Sequence, residues 1–313
     1  MGSPPGGPAV PRHVVLHEVG PRDGLQMERT TVPIDVKEAW IRESLASGVD
    51  AVQVGSFVHP DKVPQMADTD ELFRRLLRDP IPDVVLSGLV LNERGLERGL
   101  EAGVELFCMG ASASDTHSRR NTGMGAEEAT RRMVAMADRA VAAGRSVQLS
   151  VQSAFGCGFE GAIPSERVIA MVGRYLEAGH RRISLADTAG HAHPAQVERL
   201  FSGVLGMAPD VEAACHFHNT YGLGLANVFA ALSVGVTSFE CSFAGLGGCP
   251  FTKVAAGNVA TEDLVHALHL GGLRTDVDLE RLIGLARAVE AHFGRPLPGL
   301  VHSVGAIASL EPV

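Results

Sequence analysis

Eight short apolar runs, each followed by a stretch with helical periodicity, succeed one another along this chain. That alternation restricts the fold more than any other feature. The runs lie at 14–19, 51–57, 84–90, 106–110, 147–151, 182–186, 212–218 and 238–243. Amphipathic stretches at 36–46, 70–77, 95–102, 127–143, 165–178, 194–205 and 224–233 separate or follow them, and another begins at 264–268. The runs are rich in Val, Leu and Ile with little polar alternation, which suits parallel strands covered on both faces. Gly48, Gly103, Gly144 and Gly179 follow helical stretches. Each is placed to take the left-handed position that ends a helix and launches the next strand. Eight such units in about 260 residues predict a single α/β TIM (β/α)8 barrel, with a short additional helical region at the C-terminus. A doubly wound open sheet is the alternative. A dinucleotide-binding version is disfavoured because no Gly-x-Gly-x-x-Gly follows the first strand.

In a barrel of this kind, chemistry sits at the C-terminal ends of the strands. The seventh run leads into Cys215-His216-Phe217-His218-Asn219. Residues two apart on a strand project from one face, so His216 and His218 converge at the barrel mouth. Two convergent imidazoles begin a divalent metal site. The first strand ends in Arg22-Asp23, where Asp23 can add an anionic oxygen, and Asn258 or Asn219 can add an amide oxygen. A mixed nitrogen and oxygen shell with one carboxylate suits Mg²⁺ or Mn²⁺, and two His with one Asp is also a Zn²⁺ set. Arg22 carries a permanent charge suited to a carboxylate or a developing enolate. Gln53 is expected to point inward from the second strand. Cys249 follows Gly245-Leu246-Gly247-Gly248, a segment that can close over a ligand and bring a thiol to it.

The formal net charge of -9 argues against nucleic-acid or anionic-membrane partners. No apolar run approaches the roughly 18 residues of a membrane helix. Five cysteines, an odd number with no Cys-x-x-Cys spacing, fit free thiols and a cytoplasmic location. Residues 1–12 read as a disordered leader without a secretory signal, and 13–313 as one domain.

Taken together, the motifs resemble those of 3-hydroxy-3-methylglutaryl-CoA lyases. The matching segments are Val19-Gly20-Pro21-Arg22-Asp23-Gly24-Leu25-Gln26, Ser56-Phe57-Val58, Val63-Pro64-Gln65-Met66 and Gly156-Cys157. Ile183-Ser184-Leu185-Ala186-Asp187-Thr188, His216 to Gly222, Ala244 to Pro250 and Gly257-Asn258 follow in the same order. The resemblance implies a divalent cation on Asp23, His216, His218 and Asn258. It also implies substrate contacts from Arg22, Gln26 and Asp187, and proton handling by Cys249. The implied reaction is retro-Claisen cleavage of a 3-hydroxyacyl-CoA to acetyl-CoA and a keto acid, by a homo-oligomer, dimeric or tetrameric.

Four positions depart from that pattern. Gln53 stands where a glutamate is usual, Asn219 for aspartate, Met27 for asparagine and Gly158 for proline. A glutamine keeps hydrogen bonds but loses charge and base function. Two readings therefore accompany cleavage of 3-hydroxy-3-methylglutaryl-CoA. One is a lyase or aldolase for another branched 3-hydroxyacyl-CoA. The other is a catalytically silent barrel that binds acyl-CoA.

Overall fold

Each apolar run becomes a strand, and each strand finds its neighbours through hydrogen bonds to the runs before and after it. In the computed structural model, which describes residues 13–248 and 257–307, the strands are β1 (Val15–Glu18), β2 (Ala51–Ser56), β3 (Val85–Leu89) and β4 (Leu106–Ser112), then β5 (Ser146–Gln152), β6 (Arg182–Asp187), β7 (Glu212–Phe217) and β8 (Ser238–Cys241). They close into an all-parallel barrel in chain order, with β8 paired back to β1. The predicted (β/α)8 barrel is the observed one, and the doubly wound alternative falls because the sheet has no edge.

The outer helices are α1 (Ile34–Ala46), α2 (Thr69–Arg78), α3 (Glu93–Ala102), α5 (Ala126–Ala142), α6 (Ser165–Glu177), α7 (Pro194–Leu205), α8 (Gly224–Ser233) and α9 (Thr261–Leu270). Gly48, Gly103, Gly144 and Gly179 all lie at positive φ, between +75° and +97°, as the helix-to-strand turns require. The helices and strand backs share one continuous apolar core that includes Leu16, Phe107, Leu149, Tyr175, Phe201 and Phe239.

Two parts differ from the sequence expectation. The chain between β4 and α5 contains a further helix, α4 (Asp115–Thr122). Its polar composition gives no apolar period. Local hydrogen bonds define it instead: the Ser114 hydroxyl accepts from His117 N at 3.0 Å, and Gly123 closes the helix at φ +78°. The C-terminal helical region is also larger than the short one expected, consisting of α10 (Leu279–Phe293) and α11 (Val301–Val304). Leu285, Ala286 and Val289 of α10 pack with Trp40 of α1 and with Leu25, Phe243 and Leu246 at the barrel mouth, forming a second apolar cluster. Residues 1–12, read above as a leader, and Cys249 lie outside the described residues.

Buried carboxylates tie these parts together. Glu18 Oε1 accepts from Gly20 N at 2.6 Å and Phe243 N at 3.0 Å, and Oε2 lies 2.6 Å from the Thr261 hydroxyl. Glu262 accepts from Ala244 N at 3.0 Å and holds His302 Nδ1 at 2.9 Å, while Glu290 takes the other side of the ring at 3.1 Å. The Glu262 hydrogen bond, aided by Glu290, lifts His302 to about 9 despite burial.

Burial pushes the Glu18 carboxyl up to about 8 against the hydrogen bonds that favour its charge. The folded state thus keeps a proton that the unfolded chain, with its ordinary value of 4.5, has lost. This contribution to stability is complete below about pH 4.5 and disappears as pH rises towards 8. Glu18→Gln keeps an acceptor for the two N–H groups and can donate to Thr261. We expect it to flatten the decline in melting stability between pH 5 and 8, removing a slope of up to about 1.4 kcal/mol per pH unit. Parallel pH profiles for parent and variant would contradict this.

Candidate metal centre and active site

The mouth of the barrel is organised by a wide helical turn after β1. Asp23 N and Gly24 N both reach the Val19 carbonyl, at 2.7 and 3.4 Å, so residues 20–24 form a single π-type turn. Such turns concentrate at functional sites because they redirect side chains. This one turns Arg22 and Asp23 towards the barrel axis, where both line a cavity of about 320 Å³.

Asp23 meets the two histidines there. Its Oδ2 lies 3.7 Å from Nε2 of His216 and 3.7 Å from Nε2 of His218. The imidazole centroids are 4.9 Å apart, as expected for side chains two residues apart at one strand end. All three residues are buried. Each imidazole is held from behind. His216 Nδ1 is 2.9 Å from Glu240 Oε2, and His218 Nδ1 is 2.8 Å from the Asp187 carbonyl. Both partners are acceptors, so the ring protons belong on Nδ1 and the Nε2 lone pairs face Asp23. His218 Nε2 and Asn258 Oδ1 are buried without a protein hydrogen-bond partner. Asn258 Nδ2 donates to Asp23 Oδ2 at 3.0 Å and to the Leu246 carbonyl at 2.9 Å, which fixes the amide with its oxygen unused. Two imidazole lone pairs, a carboxylate and an orphaned amide oxygen are a donor set for a divalent cation.

The electrostatics agree. Burial opposes ionisation of Asp23, but the Arg22 guanidinium beside it outweighs that cost and holds the carboxyl well below the usual range. Burial likewise works against Glu240, yet the hydrogen bond from His216 and the charge on Arg22 bring its carboxyl down to about 2.

The other candidates separate. Arg22 Nη1 pairs with Asp23 Oδ1, and its Nε donates to Gln53 Oε1. Gln53 therefore points inward as expected and orients the arginine. Gln26 lines the cavity and donates to Asp23 Oδ1 at 2.9 Å. Asp187, expected to meet substrate, is placed differently. Its carboxylate accepts from His191 N at 2.8 Å and Ala192 N at 3.1 Å, capping its own loop, and it does not line the cavity. Asn219, the alternative amide, accepts from Gly224 N at 2.9 Å and secures the entry to α8. The amide oxygen left for a cation is that of Asn258. Gly257, just before it, has no room for a side chain, because a Cβ would lie 1.6 Å from the Gly245 carbonyl oxygen.

Sequence reasoning missed Glu240, Gln148, Cys108, His117 and Asn121, all of which line the cavity. Gln148, Ser150 and Gln152 recur with period two on β5, and Glu240 is the lone charge in an apolar run, so that signal was available. His117 and Asn121 ride on α4 and share its invisibility. Burial lifts the Cys108 thiol to about 12, making it an inert wall residue.

Comparison with known proteins agrees with this geometry. A model of the HMGL-like family matches residues 13–289. Hydroxymethylglutaryl-CoA lyase YngG of Bacillus subtilis is 38% identical over 288 residues, covering 92% of this chain and 96% of its own. (R)-citramalyl-CoA lyase of Chloroflexus aurantiacus is also 38% identical, over 94% of this chain and 95% of its own. A solved HMG-CoA lyase from A. baumannii, in complex with coenzyme A and 3-methylmalate, superposes with a TM-score of 0.89 at 38% identity, covering 96% of this chain and 98% of that one. Fold and relatives define a TIM-barrel carbon–carbon lyase. More particularly, the chain belongs to the HMGL-like family, whose lyases are metal-dependent.

His216→Ala and His218→Ala each remove a donor whose ring faces the cavity rather than the packed core. We expect both variants to keep the barrel's circular dichroism and to lose tight Mn²⁺ binding in equilibrium dialysis. Parental Mn²⁺ affinity in either would contradict the donor set.

Proposed function

We propose that this chain cleaves a 3-hydroxy-3-methylglutaryl-CoA-like thioester by a retro-Claisen reaction, yielding acetyl-CoA and a keto acid. The observation that carries this reading is the buried Asp23–His216–His218 cluster, with the unused Asn258 oxygen beside it, at a cavity lined by Arg22. The donor set favours Mg²⁺ or Mn²⁺ over Zn²⁺, because two of its four donors are hard oxygens. A cation held by Asp23, His216, His218 and Asn258 would supply Lewis acidity that lowers the pKa of a substrate hydroxyl.

The protein residues divide the remaining work. The hydroxyl proton passes to water in the cavity, the keto group forms as the carbon–carbon bond breaks, and the electron pair passes to the thioester carbonyl. Arg22 stabilises that enolate oxygen in this reading, which is supported by the contacts of its guanidinium with Gln53 and Asp23. Cys249 then protonates the enolate carbon to give acetyl-CoA. Retention of Cys249 and of the complete donor set argues against a silent acyl-CoA-binding barrel. Partners are an acyl-CoA and further copies of this chain, as a dimer or tetramer, for which the exposed apolar Leu300, Val304 and Ile307 are available. Among the described residues no helix is long and apolar enough to cross a membrane. A cytoplasmic location is supported by Cys108, Cys157, Cys215 and Cys241, all buried and unpaired.

A second reading keeps the reaction and changes the substrate to another branched 3-hydroxyacyl-CoA. Gln53 favours it, since the amide that accepts from Arg22 cannot take the hydroxyl proton as a glutamate would. The relatives' names also span more than one acyl group. A thioester-cleavage assay over a panel of branched 3-hydroxyacyl-CoAs with Mg²⁺ or Mn²⁺ tests both readings, and no cleavage of any member would overturn both.

Cys249→Ala should lower turnover about 10²-fold or more, the scale of a lost acid or base. Normal turnover would remove the thiol from the proton route. Under the first reading, Gln53→Glu should raise 3-hydroxy-3-methylglutaryl-CoA cleavage severalfold. Under the second, it should lower activity on the preferred substrate and leave the methyl compound poorly cleaved.

A further inference from the structure

We propose that Glu240 is the positioning residue of the metal centre, aligning His216 through its Nδ1 so that Nε2 is presented as a ligand. This inference rests on the metal-centre reading above and goes beyond it, because Glu240 touches no ligand position itself. Three observations carry it. Glu240 Oε2 lies 2.9 Å from His216 Nδ1, deep in the barrel. Its other oxygen is fixed independently, accepting from Gln148 Nε2 at 2.6 Å, with the Ser184 hydroxyl at 3.5 Å. His216 Nε2 then stands 3.7 Å from Asp23 Oδ2, on the side away from Glu240. The chain Gln148–Glu240–His216 therefore spans β5, β8 and β7 and sets the ring's rotation before any ion arrives.

The two histidines differ in this respect. His218 is held by a backbone carbonyl, that of Asp187, which no substitution at that position removes. His216 depends on a side chain. A carboxylate behind a ligating imidazole fixes its tautomer and raises its basicity, and losing such a partner typically weakens metal affinity about 10- to 100-fold. A role in packing alone would lower stability without selecting His216.

The test is Mn²⁺ titration of the full-length protein, followed by the electron paramagnetic resonance signal of free Mn²⁺, so no turnover is required. Glu240→Ala should raise the Mn²⁺ Kd about 10- to 100-fold. Glu240→Gln should raise it less. Its carbonyl can still accept from Nδ1 if the Gln148 amide turns over, and it covers the case in which the alanine variant fails to fold. In a His216→Ala background, Glu240→Gln should change the Kd no further, because the route to the ion has gone. Unchanged Kd in the single variants, or an equal loss with and without His216, would overturn the inference. Failure of the parent protein to bind Mn²⁺ would instead overturn the metal-centre reading.

Discussion

An ionised carboxylate held out of water governs the arrangement of this barrel mouth. Asp23 is buried, and an unpaired charge there would be strongly unfavourable. Its compensation comes from several directions at once. Arg22 and Gln26 contact Oδ1 from the chain just after β1, Asn258 donates to Oδ2, and two imidazole Nε2 atoms face it across the space a shared cation would fill. Those partners stand on the turn after β1, the strand end of β7 and the segment after β8. Satisfying one charge therefore fixes the relative placement of three elements that meet where the barrel closes.

The barrel's closure is reinforced on its outer side by a different kind of contact. Glu18 and Glu262 use backbone N–H groups of the Phe243–Ala244 turn, and His302 joins Glu262 to Glu290. The C-terminal helices thus do more than cover the apolar patch around Trp40. They hold the base of the segment that runs towards Cys249.

Strands were legible because a parallel strand buried on both faces has to be apolar, whatever its function. His216 and His218 were legible for a related reason, since period two at a strand end leaves them one direction to point. Gln53 followed the same rule. Asp187 did not, because its position at a strand end says nothing of the loop N–H groups at His191 and Ala192 that capture its carboxylate. Glu240 escaped because its importance lies in what stands opposite it across the barrel, on β5 and β7, which depends on closure and register rather than on local pattern. The helix α4 escaped because capping, not hydrophobic period, defines it.

The amide of Asn258 serves two masters. Its nitrogen donates both to the Leu246 carbonyl and to Asp23 Oδ2, its oxygen has no hydrogen-bond partner, and Gly257 presses directly against Gly245. A shift of the Asp23 carboxylate is therefore passed to the strip from 245 to 248, and a shift of that strip is passed to the carboxylate. By thermodynamic reciprocity the two effects are equal in free energy. The carboxylate of the first strand's turn and the segment after the eighth strand are thus geared together by a single planar amide.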